Sequence, residues 1–171
     1  RDQHGVFRRQ LQMCIRDRER RAMENQENLI QLYSTKILGL ASDMPHIGRL
    51  TRPNASITRR SPLCGSKATV DILSQDGKII DFAQEVQACA LGQAAATIFG
   101  RQIIGLTFVQ IETVRDELQA MLMSAGPIPK APFTDFEILT PAMEYKNRHA
   151  SIMLVLEATA EACAISNTTK I

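Results

Sequence analysis

Two alternating stretches joined by a tight-turn signal constrain the fold of this chain more than any other feature. Residues 67–73 alternate between small apolar and polar side chains, and residues 79–86 resume the alternation. Between them stands Asp76-Gly77, a pair typical of the two-residue turn that joins antiparallel strands. The pattern predicts a β-hairpin. One face of its second strand would carry the larger apolar residues: Ile80, Phe82 and Val86.

Two cysteines flank the predicted hairpin. Cys64 precedes the first strand and Cys89 follows the second. Because an antiparallel hairpin returns the chain to its starting point, residues just outside its two ends become neighbours in space. Two thiols brought together in this way can bind a metal or sulfide, or form a disulfide. Burial as a small apolar side chain is the alternative for a free cysteine, and Cys163 in the predicted last helix is assigned to it.

Composition and charge limit the classes of function. A chain of 171 residues with 44% hydrophobic residues and a net charge of +2 is ordinary for a globular protein. Seven arginines and four acidic residues lie within residues 1–25, so the positive charge is concentrated there and the rest of the chain is nearly neutral. A nearly neutral body predicts no nucleic-acid partner. No apolar run approaches the roughly 18 residues that span a bilayer. We therefore expect no membrane association and a cytoplasmic location.

The first 22 residues differ from the rest of the chain. They are rich in arginine, and Met23 is a more natural start, so residues 1–22 are expected to be an extraneous or disordered leader. Residues 23–171 then form a single domain with cysteines at 64, 89 and 163. Three cysteines without an export signal favour reduced thiols over a disulfide framework.

Helical spacing of apolar residues predicts the elements around the hairpin. Residues 28–42 should form an amphipathic helix, and residues 56–60 a short edge strand. A tightly packed helix is expected to begin at or just after Cys89. Thr107 opens the next helix with a capping-box pattern, and Thr140 and Pro141 are expected as the N-cap and first residue of a helix. A last helix should end near Cys163 and carry four residues inward: Ile152, Val155, Leu156 and Thr159. One face of the sheet is polar, so helices should cover only the other face.

Three short stretches resemble the cysteine motifs of one protein family. Residues 61–66 read Ser-Pro-Leu-Cys-Gly-Ser, residues 88–94 read Ala-Cys-Ala-Leu-Gly-Gln-Ala, and residues 146–152 read Lys-Asn-Arg-His-Ala-Ser-Ile. In this order they resemble the first, second and third motifs of the U-type iron–sulfur cluster assembly scaffolds, the family of IscU, SufU and the N-terminal part of NifU. The resemblance covers roughly residues 29–163.

The resemblance implies a fold and a function. The fold would be α+β, SufE/IscU-like, with a three-stranded antiparallel sheet and helices packed on one face. The protein would be a scaffold or carrier and not an enzyme. It would bind iron and a labile [2Fe–2S] cluster, work with a cysteine desulfurase, and pass the cluster to apo iron–sulfur proteins. The alternatives are a zinc-bound sulfur-transfer protein that accepts persulfide, and a degenerate member that binds partners without metal.

The site residues follow from the same resemblance, with two departures from the family. Cys64, Cys89 and His149 would bind the cluster or zinc, with Ser66 as a further metal ligand. Ser66 stands where the family usually has aspartate. His149 falls on the family's third cysteine or on the histidine beside it, so the third thiol is absent. Two thiolates and one imidazole suit zinc, or a cluster with mixed ligation.

Overall fold

The computed structural model describes residues 33–168 together with residues 12–18, 20–21 and 23. Within residues 33–168 the elements are α1 (Thr35–Ser42), β1 (Ala55–Arg60), β2 (Lys67–Gln75), β3 (Lys78–Gln87), α2 (Ala90–Gln102), α3 (Phe108–Ser124), a 3₁₀ segment (Thr134–Glu144) and α4 (Lys146–Thr168). Residues 12–18 are helical and exposed. Much of the predicted leader, and residues 28–32 of the predicted first helix, lie outside the described residues.

The three strands form one antiparallel sheet in the order β1-β2-β3. The hairpin turns at Asp76 and Gly77, whose φ angles of +51° and +73° are both left-handed, as a tight turn between twisted strands requires. The inner face of β2 is fully buried: Ala68, Val70 and Ile72. The predicted α+β fold with a three-stranded antiparallel sheet is confirmed.

The last helix lies at the centre of the hydrophobic core. It packs against β1, β2, α2 and α3. The side chains predicted to face inward are buried: Ile152, Val155, Leu156 and Thr159. Among the described residues, α4 alone has the length and apolar composition that crossing a membrane requires, and 72% of its most apolar window is buried inside the fold. Such burial is typical of a core helix.

The face of the sheet opposite α4 is crossed by the segment that precedes β1. Asp71 of β2 is fully buried there. It accepts hydrogen bonds from Arg49 Nε at 2.7 Å, Arg49 Nη2 at 2.9 Å and the Leu50 amide at 3.0 Å. Burial raises the pKa of Asp71, but these hydrogen bonds outweigh it and hold the pKa below its usual range. The buried carboxylate thus ties this segment to the sheet.

Replacing Asp71 with asparagine should lower the free energy of unfolding by about 1–3 kcal/mol at neutral pH, because a charged acceptor with three bonds is lost. Folding lowers the pKa of this carboxyl group, so its charge stabilises the protein fully when the pH is above about 3.9, the pKa in the unfolded chain. The stabilisation is lost as the pH falls from that value through the lower pKa of the folded protein. Denaturant unfolding of both proteins over a series of pH values measures the difference, which should shrink as the solution becomes acidic.

The exposed pair of Asp43 and Arg101 provides the control for this measurement. Asp43→Asn should change stability by less than about 1 kcal/mol, because solvent screens exposed ion pairs. An equal loss of stability in the two variants at neutral pH would contradict the structural importance of Asp71.

Two details of the fold differ from the sequence predictions. Ile80 is 47% exposed while Ile79 is fully buried, because a β-bulge between Leu73 and Ser74 shifts the register of the pairing. Pro141 lies inside the 3₁₀ segment and is not the first residue of a helix, and the last helix begins further along the chain. In contrast, the capping box of α3 is present as predicted.

Candidate functional site

Cys64 is carried by a tight loop between β1 and β2. The Ser61 amide donates to the Ser66 carbonyl at 2.8 Å, and the Gly65 amide donates to the Ser61 carbonyl at 3.1 Å. Gly65 has a φ of +69°, a conformation that residues with side chains rarely adopt. The loop therefore closes on itself and holds the half-buried thiol of Cys64 at one end of the sheet.

Cys89 lies two residues after the end of β3 and is the N-cap of α2. Its carbonyl accepts a hydrogen bond from the Gln93 amide at 3.0 Å, so the helix begins where the sequence predicts it. Lys67 and Gln87 pair at the end of the hairpin, which brings the two cysteine segments together. Both thiols line one open cleft of about 440 Å³. Its polar and charged lining residues are Ser66, Gln87, Gln93 and Arg148.

Two buried serine hydroxyls, those of Ser66 and Ser151, connect the two thiols, and a third, that of Ser61, contacts Cys64. The Cys64 thiol donates to Ser61 Oγ at 3.1 Å, and Cys64 Sγ also lies 3.1 Å from Ser66 Oγ. Ser66 Oγ lies 3.0 Å from Ser151 Oγ, which in turn is 3.5 Å from Cys89 Sγ. A chain of hydrogen-bonding groups thus runs from one sulfur to the other.

These hydroxyls change the acidity of Cys64. Partial burial raises the pKa of its thiol, but hydrogen bonds from the Ser61 and Ser66 side chains, the Ser66 amide and Ser151 lower it to about 7. Burial and the nearby carboxylate of Glu112 raise the pKa of Cys163 to about 12. Because the thiolate is the reactive form of cysteine, these pKa shifts make Cys64 much more reactive than Cys163 at neutral pH.

Alkylation of the apo-protein should show this difference between the two cysteines. The rate at which iodoacetamide labels Cys64 should reach half of its plateau near pH 7, the value to which the hydroxyls lower its pKa. Cys163 should stay unlabelled while the protein is folded. Peptide mass spectrometry over a pH series measures both rates. A midpoint for Cys64 at the ordinary thiol pKa of about 8.5 would contradict the effect of the serines.

His149 does not share the cleft with the thiols. It is buried, and its Nε2 lies 3.0 Å from the carbonyl oxygen of Ala142 in the 3₁₀ segment. In the part of the chain that the structure describes, no group of three or more His, Cys, Asp or Glu side chains is placed to hold a metal ion. The structure brings Cys64, Cys89 and Ser66 together and leaves His149 outside.

Ser61 and Ser151 take part in the site although sequence reasoning did not single them out. Both are buried, and both contact a cysteine. Each lies within one of the stretches that resemble the family motifs, at residues 61–66 and 146–152. The available signal was a hydroxyl side chain inside a cysteine motif, and for Ser151 also its position directly before the apolar run of residues 152–156.

The fold and the paired thiols define a small α+β domain with a thiol site at the end of its sheet. No family model and no curated protein matches the chain. Among solved structures, it is similar to a nitrogen-fixing NifU-like protein (N-terminal) from Brucella abortus, with a TM-score of 0.80 and 39% identity over 82% of this chain and 98% of that chain. The chain therefore belongs to the NifU-like family of U-type iron–sulfur cluster assembly scaffolds.

Two further solved structures share the fold. One is a putative iron-sulfur cluster assembly scaffold protein for the SUF system from Fervidobacterium islandicum, with a TM-score of 0.70 and 20% identity over 78% of this chain and 98% of that chain. The other is a hypothetical protein, with a TM-score of 0.67 and 19% identity over 79% of this chain and 98% of that chain. At these identities the likeness shows the fold alone.

Proposed function

We propose that this protein serves in iron–sulfur cluster assembly as a scaffold or carrier that binds iron and a labile [2Fe–2S] cluster. The observation that carries the proposal is the pair of half-buried thiols, Cys64 and Cys89, facing one open cleft of about 440 Å³. Thiolates are the usual ligands of such clusters, and the cleft has room for a group of several atoms. Membership of the scaffold family supports the same role.

The two thiolates are the centre of the proposed ligand set. Ser66 Oγ is an oxygen donor within the site, but it would have to give up hydrogen bonds to Cys64 and Ser151 to bind a metal. His149 would join only after breaking its hydrogen bond with the Ala142 carbonyl. The remaining positions on iron would then be filled by solvent or by a partner protein. Weak, incomplete ligation suits a carrier that must release its cargo.

Anaerobic reconstitution tests the scaffold function. The protein is incubated with iron, cysteine and a cysteine desulfurase, the proposed sulfur-donating partner, and iron, sulfide and the visible spectrum are measured. Iron and sulfide in equal amounts, with thiolate-to-iron charge-transfer bands, are expected. The cluster should then pass to an apo iron–sulfur protein, the second proposed partner. A colourless protein that retains one zinc and resists exchange for iron would overturn the scaffold function.

Sulfur transfer is the second candidate, and the low pKa of Cys64, about 7, favours it. The Cys64 thiolate would attack the outer sulfur of a desulfurase persulfide. A new S–S bond forms on Cys64, the S–S bond of the desulfurase breaks, and its cysteine leaves as a thiolate. Zinc at the same thiols would hold the site together between transfers. Mass spectrometry should then find Cys64 heavier by one sulfur atom, about 32 Da, and no such adduct on a Cys64→Ser variant.

A further inference from the structure

We propose that Ser151 is a positioning residue of the cargo site, whose hydroxyl holds Cys89 and Ser66 in the arrangement that binds a metal or cluster. This inference rests on the proposed function and assigns a residue to it. Ser151 is 1% exposed, and its Oγ lies 3.0 Å from Ser66 Oγ and 3.5 Å from Cys89 Sγ. One hydroxyl on α4 thus contacts both cysteine segments.

The packing of α4 on α2 fixes the position of this hydroxyl. Gly92 lies in the first turn of α2, and a Cβ at this position would come within 2.6 Å of Ser151 Oγ, 2.8 Å of the Ser151 carbonyl oxygen and 2.9 Å of Ala88 Cβ. The helices approach this closely because residue 92 has no side chain. The close approach puts Ser151 between the two segments that carry the thiols.

The chemistry of a hydroxyl suits this position. It donates one hydrogen bond and accepts two, so it can join a thiolate to a second hydroxyl. Groups that hydrogen-bond to metal ligands fix their orientation, and their loss typically costs about 10- to 100-fold in metal affinity. Hydrogen bonds to the sulfurs also set the reduction potential of an iron–sulfur cluster. A hydrogen-bond donor stabilises the reduced, more negatively charged form of the cluster, so removing the Ser151 hydroxyl should lower the reduction potential.

Ser166 provides a matched control on the same helix. It is also buried, and its Oγ lies 2.9 Å from Ser74 Oγ, so it forms the same kind of serine pair away from the cleft. Ser151→Ala and Ser166→Ala each remove one buried hydroxyl pair. Alanine is the better helix former at both positions, which favours retention of the fold. Loss of stability alone therefore cannot distinguish the two variants, whereas metal binding can.

Zinc binding to the apo-protein is the first measurement, by competition with a chromophoric chelator. Zinc affinity should fall about 10- to 100-fold in Ser151→Ala and stay at the wild-type value in Ser166→Ala. The midpoint potential of the reconstituted cluster is the second measurement, and it should be lower in Ser151→Ala alone. Equal zinc affinities and potentials in the two variants would overturn the positioning role. If the wild type assembles no cluster but the difference in zinc affinity is found, the scaffold function fails while the role of Ser151 stands.

Discussion

Alanine at Cys64 or Cys89 should abolish the retention of iron, sulfide and zinc after reconstitution and gel filtration. Each substitution removes one of the two cysteines that line the cleft, and within the described residues no group of three His, Cys, Asp or Glu side chains is placed to replace it. A site left with one thiolate loses most of its binding free energy, since ligand number dominates metal affinity. Metal content should fall below about a tenth of the wild-type value, with loss of the charge-transfer bands.

Two further variants serve as controls for this loss. Cys163→Ala should leave the metal content unchanged, because its thiol is buried in the core and its pKa is raised to about 12. His149→Ala should lower the melting temperature by removing the bond to the Ala142 carbonyl, while much of the metal is retained. Metal lost in Cys163→Ala alone would contradict the assignment of the site to the cleft.

The elements that the sequence predicts correctly are those with local signals. Asp76 and Gly77 specify a tight turn because both readily adopt the left-handed backbone conformation that this turn requires. Thr107 and Gln110 specify the start of α3 through the two hydrogen bonds of a capping box. The bulge that buries Ile79 and exposes Ile80 has no such signal, because it depends on how β3 pairs with β2. Alternation along a strand predicts which side chains share a face of the sheet, but one unpaired residue in a bulge moves the side chains beyond it to the opposite face.

The site was predictable to the extent that it follows from hairpin closure. The ends of an antiparallel hairpin meet, so the proximity of Cys64 and Cys89 requires only the two strands and the turn. The third motif is different, because its residues lie on a helix. His149 and Ser151 are about 200° apart around the axis of α4, so only one of the two side chains can face the cleft. The packing of α4 puts Ser151 at the thiols and His149 against the 3₁₀ segment.

Gly92→Ala should therefore lower the free energy of unfolding by about 1–3 kcal/mol, because the added methyl group meets the Ser151 backbone and overpacks the contact between α2 and α4. Gly39→Ala in α1 is the matched control: nothing lies within 4 Å of its added Cβ, so better helix propensity should raise stability by about 0.5–1 kcal/mol. Denaturant unfolding of the two variants should thus give changes of opposite sign.

Zinc affinity should fall in Gly92→Ala only, since moving α4 displaces Ser151 from Cys89. A stabilised Gly92→Ala protein would mean that the helices do not approach as closely as the thiol site requires.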